Sequence, residues 1–446
     1  MRDYTEDDLR IARHKKRIQA ERKAYIILAV ILLIVITGAV IGLHTLFQKR
    51  PEPEPVEDEV VTVEDEPIIP VEETPEPDET GVTEAEPVEE RDELDDLVDL
   101  YMASMTLEEK VYGLFIVTPE AITGVSTATR AGSATQKAIE TYPVGGIIYF
   151  SKNITGKTQF KEMLLNSQKY AKYPMFIAVD EEGGTVARLA NSSALGITNV
   201  GNMSDIGATL DSMNAYAAYM NIGTYLSDYG INLDFAPVAD VWTNAENDTF
   251  AKRSFGSDPE LVAQMVASAV TALQDQGVSA TLKHFPGLGA TSGDTHDSAT
   301  VLDKSLDELY ACELVPFAAG INAGADFVMV GHVILPPLDG EETLASMSSY
   351  VMQDLLRDQM GFDGVIITDA LNMGAVTERY HSNEAAVAAI QAGADMILMP
   401  NDFPTAYQGI LDAVNNGTIS EERIDESLHR IYRIKYKNAI DSSTTE

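Results

Sequence analysis

The stretch Ala280-Thr-Leu-Lys283-His284-Phe285-Pro286-Gly287 runs from an apolar, strand-like segment directly into a cation and an imidazole. Asp294-Thr295-His296 follow seven positions later, in a Gly-rich segment that should form a mobile loop. A cation, two imidazoles and a carboxylate thus fall within residues 283–296. Buried cores exclude such groups unless they are paired, so this is the equipment of a site.

The same arrangement recurs along the chain. Eight strand-like apolar runs are predicted at Gly113–Val117, Gly145–Tyr149, Met175–Val179, Ile231–Phe235, Ala280–Lys283, Phe327–Val330, Val365–Thr368 and Met396–Met399. Helical patterns lie between them, among them Thr209–Tyr229, Pro259–Gln276, Leu306–Ala323 and Tyr350–Met360. Continuous apolar runs suit parallel strands buried on both faces. Eight of them alternating with helices predict an α/β fold of the (β/α)₈ TIM-barrel type. A doubly wound open sheet is the competitor, but no Gly-x-Gly-x-x-Gly turn follows the first strand. Polar residues gather at the strand ends. Asp180 ends the third strand, Asp234 lies in the fourth, Lys283 and His284 end the fifth, His332 follows the sixth and Asp369 the seventh. A barrel places its active site at this rim.

Composition narrows the function. The 446 residues include 70 acidic and 31 basic side chains, a net charge of −39, which speaks against nucleic acid as a partner. The charge is unevenly spread. Residues 1–23 are basic, with Arg10, Arg13, Lys15, Lys16, Arg17, Arg22 and Lys23. Ala24 to Leu43 carry no charge, the length a bilayer-spanning helix needs, and no small-x-small cleavage site closes the run. An uncleaved anchor over 24–46 is expected, with the basic segment cytoplasmic and the rest of the chain outside. Residues 47–93, rich in Pro, Glu, Asp, Val and Thr, read as a disordered linker. Fully extended it reaches on the order of 140 Å from the membrane, at roughly 3.1 Å per residue. The catalytic barrel is expected over 94–440, with a short tail at 441–446. The single cysteine, Cys312, excludes an internal disulfide and reads as helix packing. Trp242 reads as packing in preference to a sugar platform.

The candidate residues have alternatives of their own. Asp369, before Ala-Leu-Asn372-Met, reads equally as a nucleophile or as a helix N-cap. His296 could exchange protons near neutrality, with Asp294 orienting its ring. His284, Asp294 and His296 could also ligate a metal, although their spacing matches no standard site. In Asp180-Glu-Glu-Gly183-Gly184-Thr-Val-Ala-Arg188, Asp180 could accept from ligand hydroxyls and Arg188 could contact the ligand, or the segment could be a tight turn with a structural ion pair. The Gly pair allows positive φ or close backbone approach. Asp234-Phe-Ala-Pro-Val-Ala-Asp240 and Arg253-Ser-Phe-Gly256 could equally form rim salt bridges.

Taken together, these segments resemble glycoside hydrolase family 3, in its single-domain β-N-acetylhexosaminidase branch. Asp180–Arg188, Asn232–Asp240, Arg253–Gly256, Lys283–Gly287, Asp294–His296 and Thr368–Met373 occur in the family's order across 95–440. The resemblance implies that Asp369 is the nucleophile of a retaining double displacement, that His296 is its acid/base and that Asp294 is the partner of His296. It also implies that Asp180, Arg188, Arg253, Lys283 and His284 grip a terminal N-acetylglucosamine. The expected activity is exo-β-N-acetylglucosaminidase on cell-wall fragments. A β-glucosidase or phosphorylase of the same fold is the alternative, and an inactive surface sugar-binding protein is the alternative of another class. This chemistry calls for no metal or organic cofactor, and the catalytic domain is expected to be monomeric. Leu288 and Ala290 stand where relatives often carry His and Asp. Fewer than fifty residues follow the last predicted strand, so no second domain is expected to donate the acid.

Overall fold

The structure is a computed structural model that describes residues 93–293, 295, 298–339 and 343–441. The expected anchor (24–46), the linker up to 92, Asp294 and His296 lie outside the described residues. Among the described residues, no helix is long and apolar enough to cross a membrane. Glu93, placed in the linker from sequence, opens the helix Glu93–Met102.

The predicted strands form one all-parallel, eight-stranded sheet. The strands are β1 (Phe115–Val117), β2 (Gly146–Ile148), β3 (Phe176–Val179), β6 (Leu233–Asp234), β7 (Ser279–Phe285), β9 (Phe327–Val330), β11 (Val365–Thr368) and β12 (Ile397–Leu398). Their spatial order is β11-β9-β7-β6-β3-β2-β1-β12. A parallel bridge between Ile367 and Met396 joins the two ends, so the sheet closes as the (β/α)₈ reading predicts. Runs such as Val365-Ile-Ile-Thr and Phe327-Val-Met-Val suit this place, since every residue in both is buried. Among the described residues two minor pairs complete the strands. An antiparallel hairpin joins β4 (Glu181–Gly183) to β5 (Val186–Ala187), and β8 (Thr300–Val301) pairs with β10 (Val333–Ile334).

Helix boundaries follow their caps. Asp211 accepts from the Met213 N–H to start Ser212–Tyr229, and Gly230 at φ 82° ends it. Asp258 and Pro259 start Pro259–Gln274 in the same manner. The pattern predicted as one helix over Leu306–Ala323 is two, Leu306–Ala311 and Leu314–Asn322, broken at Cys312 (φ −142°, ψ −77°). The reason is Pro316, which has no N–H to give Cys312 and whose ring would strike that carbonyl in a continuous helix. The half-buried Cys312 packs against the core, as does Trp242, whose Nε1 donates to the Asn247 carbonyl at 2.9 Å.

The long helix Glu421–Asp441 packs on Glu93–Met102, and Asp95 pairs with Arg433 and with His429. From this helix Lys435 points its Nζ over the Phe176 ring at 4.9 Å and the Tyr432 ring at 4.6 Å. Phe176 opens β3, so this lysine plugs the end of the barrel opposite the polar rim. Its Nζ is sealed from solvent with no hydrogen-bond partner, and burial depresses its pKa to about 7.

Candidate active site

The C-terminal ends of β3, β7, β11 and β12 enclose a cavity of about 430 Å³. Asp180, Glu182, Arg188, Arg253, Lys283, His284, Asp369 and Asn372 line it on the polar side, and Phe150, Met329, Met373 and Met399 on the apolar side. All five expected binding residues and the expected nucleophile therefore meet at one place. A volume in this range suits a small ligand, and apolar walls with a few converging polar groups are the usual construction.

Lys283 reaches this cavity beside its neighbour His284 because the β7–β9 register slips there. Lys283 pairs with Met329 and Phe285 with Val330, which leaves His284 as the extra residue. A regular strand would send consecutive side chains to opposite faces, whereas a bulge lets both line the cavity. The Lys283–His284 and Phe285–Pro286 peptides are cis.

The positive groups are held by a paired acidic framework. Lys283 Nζ lies 2.6 Å from Glu182 Oε1 and 3.1 Å from Asp180 Oδ1. Arg253 holds Glu182 with both ends of its fork, Nε on Oε2 and Nη2 on Oε1, each at 2.8 Å. Arg188 Nη2 donates to Asp180 Oδ2 at 3.1 Å, and its guanidinium stands 5.4 Å from the Phe150 ring. Burial alone would raise the Glu182 pKa, but Arg253 and Lys283 outweigh it and hold the carboxyl far below the usual range. Burial would likewise lower the Lys283 pKa, and the charges of Glu182 and Asp180 raise it instead. Both groups are therefore ionised at neutral pH.

Gly183 and Gly184 adopt φ 93° and 56° in the turn from β4 to β5, and a Cβ on Gly184 would lie 2.7 Å from Asn202. The hairpin sorts the acids to its two sides. Glu182 faces Arg253 and Lys283, while Glu181 turns away to accept from the Leu189 and Ala190 N–H groups and the Tyr225 hydroxyl. Asp234 accepts from the Glu181 N–H at 2.8 Å and is fully buried, so burial raises its pKa well above the ordinary value. It supports the hairpin from below the cavity and does not line it.

Asp240 is the support of His284. Its Oδ2 accepts from the His284 backbone N–H at 3.2 Å and lies 2.8 Å from Nδ1, while Oδ1 accepts from the Leu288 N–H at 2.6 Å. A carboxylate can only accept, so Nδ1 carries the proton and the ring orientation is set. Leu288 is buried here. The loop turn beyond β7 is held through the Leu288 backbone N–H and through its side chain, which packs in the core.

Asp369 follows β11 at the floor of the cavity. Its N–H donates to the Val330 carbonyl, and its Oδ1 accepts from the Ala370 N–H at 2.7 Å. The next helix starts only at Gly374, with Met373 at its N-cap, so Asp369 is not a helix cap. Burial would raise its pKa; the imidazoles of His284 and His332, the Ala370 N–H and the Lys283 ammonium together bring it below the usual value. The carboxylate is thus ionised and partly free, the state a nucleophile needs.

Residues 106–434 match the sequence profile of the glycosyl hydrolase family 3 N-terminal domain. The chain belongs to glycosyl hydrolase family 3. It is 34% identical over 327 residues to beta-hexosaminidase A of Pseudoalteromonas piscicida, an alignment covering 67% of this chain and 54% of that protein. It is 36% identical over 269 residues to a beta-hexosaminidase of Stenotrophomonas maltophilia strain K279a, covering 57% of this chain and 76% of that one. The solved family 3 beta-N-acetylglucosaminidase from Paenibacillus sp. str. FPU-7 superposes with a TM-score of 0.71 at 39% identity, covering 76% of this chain and 64% of that chain. The chain spans about half the length of the Pseudoalteromonas relative and under two thirds of the Paenibacillus chain.

Reading the residues alone gave Glu182 and His332 no role in this family 3 site, and read Asp240 only within a segment able to form rim salt bridges. Each had a signal. Glu182 stands two residues from Asp180 in a glycine turn, Asp240 closes the Asp234 motif, and His332 follows a barrel strand.

Proposed function

We propose that this chain is a retaining exo-β-N-acetylglucosaminidase, with Asp369 as nucleophile, His296 as acid/base and Asp294 as the partner of His296. The observation that carries the reading is the ionised, half-free Asp369 carboxylate at the floor of a cavity lined by Asp180, Arg188, Arg253, Lys283 and His284. The names of the aligned relatives support the N-acetyl preference. In the first step Asp369 attacks the anomeric carbon while His296 gives its proton to the departing oxygen, forming a glycosyl ester and a free alcohol. In the second, His296 takes a proton from water, which attacks the same carbon and releases the sugar and the carboxylate. Two inversions retain the β configuration. Asp180 and Arg188 offer an acceptor and a donor to ring hydroxyls, and beside them Lys283 offers a donor and His284 the acceptor Nε2, its Nδ1 hydrogen being held by Asp240.

The apolar run and the acidic linker support a catalytic domain held outside a cell membrane by residues 24–46. In that location cell-wall fragments with a terminal N-acetylglucosamine are the fitting substrate class. The test uses the detergent-solubilised full chain on aryl β-N-acetylglucosaminide and aryl β-glucoside, with and without phosphate, following the first-formed anomer by NMR. Cleavage of the N-acetyl substrate alone, giving β-N-acetylglucosamine and lost in Asp369→Ala, is the expected result. Turnover that requires phosphate and releases a sugar phosphate would replace hydrolysis by phosphorolysis. Binding without turnover would favour a sugar-binding protein.

A further inference from the structure

We propose that His332 is a positioning residue for the nucleophile loop, holding the Asp369–Ala370 peptide so that one oxygen of the Asp369 carboxylate is left to attack. The inference rests on the reading of Asp369 as nucleophile.

His332 follows β9 and is completely buried. Its Nε2 lies 3.1 Å from the Ala370 carbonyl oxygen and its Nδ1 lies 2.7 Å from Ser346 Oγ. A carbonyl can only accept, so Nε2 carries the hydrogen. In the neutral ring Nδ1 then accepts from the Ser346 hydroxyl, which is itself fully buried in the turn Ala345–Met347. One imidazole therefore ties together the end of β9, the 344–348 segment and the nucleophile loop.

The consequence for Asp369 is geometric. The Asp369–Ala370 peptide lies between two anchored groups, the Asp369 N–H on the Val330 carbonyl at 2.9 Å and the Ala370 carbonyl under His332. Its own N–H is committed to Asp369 Oδ1 at 2.7 Å. Among the described residues nothing donates to Oδ2, so Oδ2 is the oxygen left for the sugar. The Ala370 carbonyl also accepts from the Met373 N–H at 3.1 Å, so without His332 one bond holds it where two did, and a shift of this peptide moves the Ala370 N–H off Oδ1. Misplacing a reacting atom by about 1 Å can cost about 10²-fold in rate. The loss should appear in kcat, because His332 does not line the cavity and the groups that grip the sugar remain.

The test compares the full-length wild type with His332→Ala, His332→Gln, His332→Asn and Asp369→Ala on aryl β-N-acetylglucosaminide. A parallel ¹⁵N-histidine NMR spectrum of the wild type is assigned by difference from His332→Gln. His332→Ala should lower kcat by about 10²-fold with KM within about threefold. His332→Gln, whose amide N–H can reach the Ala370 carbonyl, should recover at least about tenfold of that loss, while the shorter His332→Asn should not. The spectrum should show a hydrogen on Nε2 in either charge state of the ring. Wild-type kcat in His332→Ala, an equal loss in all three substitutions, or a neutral ring protonated at Nδ1 would overturn the proposal. Full activity in Asp369→Ala would instead refute the nucleophile reading. A wild type inactive on this glycoside would refute the substrate reading, and the tautomer would still decide the His332 contact.

Discussion

The Lys283 ammonium stands 2.6 Å from Oε1 of Glu182, and both side chains are almost sealed from water. Neither charge could stay there alone, because a buried unpaired charge is far costlier than a lost surface contact. Glu182→Gln should therefore destabilise the barrel by about 3–5 kcal/mol, read by urea unfolding at pH 7. It should also raise KM, since Lys283 and Arg253 lose their anchor. The Glu182 pKa is depressed in the folded state from its ordinary 4.5. Its contribution is complete above that value and fades as pH falls towards the folded one, so the wild-type advantage over Glu182→Gln should shrink on acidification. An unfolding midpoint unchanged by Glu182→Gln at pH 7 would refute this account.

Asp369→Ala should reduce kcat by at least roughly 10⁴-fold, the scale seen when a group that acts covalently is removed. Thermal stability should change little, because the Asp369 carboxylate holds only its neighbour's N–H among the described residues. Its pKa lies below the ordinary carboxylate value of 3.8. The acid limb of kcat/KM should accordingly fall below that of a free carboxylate, which a pH–rate profile measures.

His296 is proposed as acid/base, and its removal should depend on the leaving group. His296→Ala should slow cleavage of a poorly activated aryl glycoside by about 10²–10⁴-fold. The glycosylation step for a strongly acidic phenol should be much less affected, since that oxygen departs without a proton. Equal losses for both phenols in single-turnover experiments would remove His296 from the acid role.

Lys435 predicts an unusual pH dependence of stability. Burial takes its folded pKa to about 7 against an ordinary value of 10.5. Below pH 7 both folded and unfolded states hold the proton, and the penalty for burying the ammonium is complete. Between 7 and 10.5 the unfolded chain binds more protons than the folded one, so this group makes stability rise with pH. Lys435→Met should raise the melting temperature at pH 6.5, and the gain should vanish by about pH 10.5. A gain independent of pH would point to packing alone.

The strands were legible because each is an apolar run buried on both faces, and Val365–Thr368 and Phe327–Val330 fall where the runs predict. The helix pattern over Leu306–Ala323 misled because amphipathic spacing persists across the break that Pro316 imposes. In the site, Asp369 and Lys283 were legible as charged residues at strand ends. Glu182 was not, since its neighbours Asp180 and Glu181 are also acids and only the β4–β5 hairpin brings Glu182 to both Arg253 and Lys283.

The sequence by itself determined the barrel, its polar rim and the identity of the carboxylate at the end of the seventh barrel strand. Those depend on local periodicity and on which residue types can be buried. Only the tertiary structure decided which acid pairs with which cation, that Asp240 orients His284, and that His332 meets the Ala370 carbonyl. Apart from Asp180–Arg188, these contacts join residues 38 to 103 positions apart, and no local pattern encodes a partner at that distance. Closing the sheet brings them within hydrogen-bond range, and burial then makes every unpaired alternative costly.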